Sequence, residues 1–234
     1  MAIICGADGC KGGWVVISKD LDSGQIAWRL RKTAHDLIAL SPLPKIIAID
    51  IPIGLPEKGS RACDLLAREL LGKGRTSSVF PAPIRPVLAA QNYIDACKIR
   101  LVSDGKKMSK QAWNIVPKIR SVDTLLVQNP ELRTIIREVH PEVCFFYLNG
   151  KKPLHFKKKM AQGREERITL LEPLYGQSLR AASEDRKKLD SGEDDILDAF
   201  AALWTAERIE KGTSQTIPAE PPTDSYGLRM EIVA

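Results

Sequence analysis

The chain has 234 residues, 44% of them hydrophobic and 27% charged, with a net charge of +6. That balance suits one globular domain, or one domain with a sizeable insertion, and not a disordered or fibrous chain. No apolar run approaches the roughly 18 residues of a membrane span. The five cysteines, Cys5, Cys10, Cys63, Cys97 and Cys144, show neither a C-x-x-C pair nor zinc spacing.

The opening MAIICGADG has no basic n-region or cleavage pattern and reads as a strand beginning at residue 2. Residues 13–19 and 25–31 read as two further strands, joined by the turns DGCKGG and Asp22-Ser23-Gly24. Three strands linked by tight turns predict an antiparallel meander. Thr33 is an N-cap candidate for a short helix over 34–40, ended by Pro42 and Pro44. KIIAIDIPIG (45–54) is a continuous apolar run, the pattern of a buried central strand. Residues 61–72 form an amphipathic helix closed by Gly72.

Three prolines make 73–90 an irregular loop, and 91–133 holds two or more helical segments. Together they predict an insertion at about 73–133. TIIREVH (134–140) is a strand ended by Pro141, and 162–189 and 194–211 are helices. The stretch from 212, with Pro218, Pro221 and Pro222, reads as a loop-like tail after a domain of residues 1–211. The predicted fold class is α/β, a mixed five-stranded sheet with helices on both faces. Cys5, Cys63 and Cys144 lie among apolar residues and fit buried thiols, as expected in a reducing cytoplasm.

Carboxylates occur where these elements end or meet. Asp8 follows the first strand, Asp50 interrupts an apolar run, Glu138 lies in the fifth strand, and Asp195 and Asp198 lie on the last helix. A buried carboxylate without partners costs several kcal/mol, so Asp50 needs a cap, an ion pair or a metal. On the last helix, at about 100° per residue, Asp198 falls about 60° from Asp195, and Ala199, Ala202 and Ala206 fall within about 40° of it. The small residues predict a stripe that approaches the sheet and carries Asp195 and Asp198 with it. Ser191 and Asp194 fit a capping box, and Glu193 suits the helix dipole. Capping does not explain Asp198, about two turns in.

Carboxylates converging without His or Cys partners suit a hard cation, magnesium or manganese. Two such ions about 3.5–4 Å apart clamp the attacking and leaving oxygens of a phosphodiester. The positive charge is clustered in 98–120 and 151–167, which favours polyanions. Lys11, Arg75, Arg85, Lys110, Lys118 and Lys158 are candidate phosphate contacts, so nucleic acid is the expected partner.

Asp8 on a first strand, Asp50 on a fourth and the D-x-x-D-A of Asp195 to Ala199 resemble the RNase H-like fold, closest to its Holliday-junction resolvase arrangement. GADGCKGGWVV (6–16), IAIDIPIGLP (47–56), SVFPAPIRPVL (78–88), REVHPEVCFFYLNG (137–150) and DDILDAFAALWTA (194–206) further resemble an uncharacterised family of predicted RNase H-like nucleases. The resemblance spans about residues 3–210. It implies a metal-dependent nuclease in which Asp8, Asp50, Asp195 and Asp198 bind metal and position water. Glu138 departs from the resolvase pattern. It reads as an extra ligand beside His140, or as an ion-pair partner of Arg137 or a lysine, with Glu142 in a loop. DGCKGG weakly resembles the first phosphate loop of actin-like kinases, so an ATP-binding phosphotransferase or ATPase is the alternative. A binding-only relic of the fold is the third reading.

Overall fold

The Val- and Ile-rich N-terminal stretches are strands in the computed structural model, which describes residues 2–234. The first elements are β1 (Ile3–Cys10), β2 (Gly13–Asp20), β3 (Ile26–Arg31), β4 (Ile46–Ile49) and α1 (Ala62–Leu71). Next come α2 (Tyr93–Asp104), α3 (Lys110–Gln128), β5 (Ile136–Glu138), α4 (Pro141–Leu148), α5 (Ala161–Glu184) and α6 (Glu193–Glu210). Two short strands follow, β6 (Thr216–Ile217) and β7 (Ile232–Val233). The chain divides into two units. One holds the residues up to Ile51, Thr134–Gln215 and Val233–Ala234, and the other holds Pro52–Arg133 and Thr216–Ile232.

The first unit carries a five-stranded sheet of order β3-β2-β1-β4-β5. β1, β2 and β3 form the predicted antiparallel meander, and β4 and β5 add parallel to β1. This order and these directions are consistent with an RNase H-like fold. Ile4, Val15, Ile17 and Ala48 project from one sheet face into a core with Phe145 of α4, Leu171 and Leu179 of α5, and Phe200 of α6.

α6 lies on β1 closer than ordinary side chains permit. Ala199, Ala202 and Ala206, the predicted stripe, are fully buried. The strand supplies the matching small residue. A Cβ on Gly6 would stand 2.1 Å from the Leu203 nitrogen and 2.3 Å from the Ala199 oxygen. Leu197, Phe200 and Leu203 on the same helix are also fully buried. Each contributes about 1.5–3 kcal/mol of apolar transfer.

The second unit has its own core, with Ile84, Val87, Ala96, Ala112 and Val116. Buried ion pairs brace it. Arg61 meets Asp64 at 2.6 Å, and Arg85 meets Asp123 at 2.7 Å and also pairs with Asp224.

Several expectations are corrected. The helix over 34–40 is only a 3-10 turn, His35–Leu37, and Asp36 within it accepts the Thr33 N–H at 2.8 Å. So short a segment before two prolines cannot sustain an α-helix. The apolar run 45–54 pairs as a strand only as far as Ile49 and bends at Asp50. Pro141 does not merely end β5. It opens α4 at the first helical position, where its missing N–H goes unused. The segment from 212 is not merely a loop, because it supplies β6 and β7, and its Asp224 accepts the N–H groups of Leu55, Leu228 and Tyr226 at 2.9–3.0 Å.

Candidate active site

β1 and β4 run side by side to the end of the sheet, where the Asp50 N–H donates to the Ala7 carbonyl at 2.9 Å. Gly6 pairs with Ala48 and Ala7 with Ile49. Side chains alternate between faces, so Asp8 and Asp50 continue the row of Gly6 and Ala48 and rise on the face that meets α6. From Gly6 towards Asp8 the strand runs against the helix, and Asp198 and Asp195 are the next inward positions of α6.

The gathering shows in the acidities. Asp8 is 6% exposed and Asp198 1%. Burial, then the nearby Asp50 and Asp198, push the Asp8 carboxyl well above the usual carboxylate range. Burial lifts Asp198 to about 6, with Lys158 pulling the other way and Asp50 and Glu142 adding repulsion. Asp195 is half-buried and raised more mildly, again chiefly by burial. Carboxylates outnumber cations here, and holding a proton relieves the excess.

Lys158 supplies the local cation. Its Nζ lies 2.5 Å from Asp198 Oδ2, and Asp198, ahead of Asp8 and Asp50, holds the ammonium above the ordinary lysine range. Its segment approaches the site because Gly163, in the first turn of α5, has no side chain. A Cβ there would stand 2.1 Å from the Lys157 oxygen. Behind Asp198, Glu142 of α4 pairs with the fully buried Arg167 of α5. Arg167 also donates to the Gly163 carbonyl at 2.6 Å and lies 5.2 Å from the Phe145 ring centroid.

Not every predicted residue joins this group. Register pairs Glu138 with Ile49, which pairs with Ala7, so Glu138 faces away from Asp8 and Asp50. His140 beside it serves α4, its carbonyl accepting the N–H groups of Val143 and Cys144 at 2.8 and 2.9 Å. The expected cap is also revised. Gly192 is the N-cap of α6, and Asp195 accepts its N–H at 2.8 Å. Asp194 instead pairs with Lys159 at 2.8 Å, and Glu193 with Arg164 at 3.4 Å. Asp195 thus caps the helix and faces the acid group at once.

The basic candidates separate as well. Lys158 belongs to the acid group. Arg85 is buried between Asp123 and Asp224 in the second unit, so its guanidinium is occupied and is not a phosphate contact. Arg75 is also buried in that unit, which removes it from the surface where phosphates bind. Lys118 is half-buried on α3, whereas Lys110 on α3 and Lys11 in the β1–β2 turn are exposed. Among the described residues, Cys5, Cys10, Cys63 and Cys144 are buried free thiols.

The donors that converge are carboxylate oxygens alone, which suits magnesium or manganese over zinc. Among the described residues, no three or more His, Cys, Asp or Glu groups already stand around a metal-sized point. The Lys158 ammonium lies against Asp198 instead. Carboxylate oxygens are the donors that a hard cation takes, and Asp8, Asp50 and Asp198 are the residues that would supply them.

Among the described residues, no helix is long and apolar enough to cross a membrane. Residues 6–223 match the sequence profile of a family described as protein of unknown function (DUF429). No curated protein and no solved structure matches the chain.

Proposed function

The chain belongs to the DUF429 family, proteins of unknown function, and we propose that it is a divalent-metal-dependent nuclease hydrolysing phosphodiester bonds. The observation that carries this reading is that Asp8 of β1, the half-buried Asp50 just after β4 and Asp198 of α6 fall on one side of the sheet, with Asp8 and Asp198 buried and Lys158 paired to Asp198. Such a group opposes folding, and a site for a doubly charged cation gives it a purpose. The resemblance to predicted RNase H-like nucleases supports the same assignment.

Magnesium or manganese bound there would supply a water activated at neutral pH and positive charge at the phosphoryl oxygens. The chain's own groups have separate tasks. Asp8 within β1 and Asp50 just after β4 offer oxygens from adjacent strands, a rigid base that keeps their spacing fixed. Asp198 approaches from the helix, held in place by the alanine stripe. Asp195 keeps one oxygen on the Gly192 N–H, which leaves the other to orient water. Lys158 balances one carboxylate and, with 39% of its side chain exposed, can reach a substrate phosphate.

The test is metal-dependent cleavage of mixed DNA and RNA by wild type, Asp8→Asn and Asp198→Asn. Wild type should cleave with magnesium or manganese, and both variants should fall to background while remaining folded. Cleavage that survives in Asp8→Asn would sink the assignment. ATP bound tightly without any cleavage would favour the phosphotransferase reading instead.

A further inference from the structure

The acid group already has a cation of its own, the Lys158 ammonium. Its Nζ lies 2.5 Å from Asp198 Oδ2, on a carboxylate whose side chain is 1% exposed, while 39% of the Lys158 side chain reaches solvent. After Asp198, the charges of Asp8 and then Asp50 act on the same ammonium. Lys158 therefore covers an oxygen that a divalent cation bound by Asp198 would draw upon.

The backbone that carries Lys158 is fixed. Before it, Glu166 accepts the N–H groups of His155 and Phe156, both at 2.9 Å. After it, Lys159 pairs with Asp194 at 2.8 Å, and the Met160 N–H donates to the Lys157 carbonyl at 2.9 Å. That carbonyl fills the place where a Gly163 side chain would begin. Gly163 is held in turn by the fully buried Arg167, which donates to its carbonyl at 2.6 Å. What is left to move is the Lys158 side chain, a flexible stem with a path to solvent.

Two cations on one carboxylate repel each other, and burial removes much of the screening that would let them coexist. Magnesium or manganese brings twice the charge of an ammonium to the same oxygens. Before any metal arrives, the chain still needs a cation there, because carboxylates buried without one oppose folding. Lys158 meets that need, and being tethered it is always at hand.

We propose that Lys158 is a resident counter-ion that holds the place of the metal at Asp198 and is displaced towards solvent when the metal binds. The inference rests on the metal-dependent reading of the site given above. Its consequence is an order of events. The ammonium becomes free to meet a substrate phosphate only once the metal is in place, so the loaded protein engages the substrate and the empty one does not.

The first measurement is manganese binding to the full chain by isothermal titration calorimetry at neutral pH. Lys158→Met keeps an unbranched stem and removes the charge, and should bind manganese on the order of tenfold more tightly than wild type. Lys158→Arg keeps the charge and should show no such gain. Lys159→Met removes an equal charge one residue away, from the exposed pair with Asp194, and should change the affinity by no more than about twofold. In EDTA, Lys158→Met should unfold at a lower temperature than wild type, and manganese should raise its midpoint by more than it raises that of wild type.

The second measurement follows Lys158 in the wild-type chain. Its acetylation by acetic anhydride, read by mass spectrometry, should be slow in EDTA and severalfold faster with magnesium, while the exposed Lys157 reacts alike in both. Manganese binding no tighter in Lys158→Met than in wild type, or acetylation of Lys158 unmoved by magnesium, would overturn the displacement and leave the metal site standing. Manganese binding to neither protein would remove the metal reading itself, and the displacement with it.

Discussion

Both units bury paired charge, Arg167 with Glu142 in the first and Arg61 with Asp64 in the second, but the first also buries charge in excess. In the second unit, Arg61 faces Asp64, which also takes the Ala82 N–H at 2.9 Å. Arg85 sits between Asp123 and Asp224. Against the upward push of burial, backbone N–H groups and Arg85 hold the Asp224 carboxyl below its ordinary range. In the first unit, Asp8, Asp50 and Asp198 share the one ammonium of Lys158, and burial drives Asp8 and Asp198 upward. Buried charge that braces a fold is matched within the chain. Buried charge left in excess marks a place shaped for something that arrives later.

The sharpest way to break this comparison is to remove one carboxylate from each unit. Asp224→Ala leaves Arg85 partly uncompensated and should cost about 3–5 kcal/mol in urea denaturation. Asp8→Asn should cost nothing at pH 8 and should raise the midpoint, because it removes a repelling charge. If both variants lost stability equally, the acid group would be structural.

Proton linkage gives a somewhat smaller effect. A carboxyl whose folded pKa lies above its unfolded value stabilises the fold fully below that unfolded value. The contribution is lost as the pH rises through the folded pKa. For Asp198, the window runs from about 4, the unfolded carboxylate value, to about 6. Wild type should lose on the order of 2–3 kcal/mol across that window relative to Asp198→Asn, measured by denaturation at pH 4 and pH 7. A parallel pH dependence in the two proteins would remove the excess-charge reading of the site.

Gly6→Ala tests geometry without altering charge. The methyl cannot fit against the α6 backbone, so the helix must shift, at a cost of about 1–3 kcal/mol by thermal or urea denaturation. The added separation should also flatten the pH dependence, since the carboxylates would no longer crowd each other. Retention of the full pH dependence would mean that α6 does not set their spacing.

Much of this was legible in the sequence, because local pattern determines it. The meander followed from Val- and Ile-rich runs and tight turns. The inward side of α6 followed from its alanines, and Asp50 from its place after an apolar run, whereas Asp8 lies inside β1 and not beyond it. Other features depend on partners far along the chain. Glu138 looked like a ligand until register with β4 put it on the other face. Arg167 and Lys158 belonged to a run of basic residues, and only the fold decides that one is fully buried and the other meets Asp198. The cap of α6 was off by one residue, since Gly192 offers no side chain to betray it and Ser191 does. Gly6 and Gly163 were signals passed over, each the small residue that lets a backbone come close. Pro141 was another, read as a strand end when it also starts a helix.

The contact at Gly6 makes β1 and α6 work as a vernier. A strand advances about 3.3 Å per residue and a helix about 1.5 Å. The step from Gly6 to Asp8 is therefore matched by four to five helical residues, the distance from the Ala199–Leu203 contact back towards Asp198 and Asp195. One residue inserted between Asp198 and Leu203 would turn the carboxylate about 100° away while leaving the hydrophobic packing largely repairable. Relatives that keep the acids but change this interval would have the residues of the site without its alignment. The interval is thus a sieve that can be applied to any related sequence before a single one is expressed.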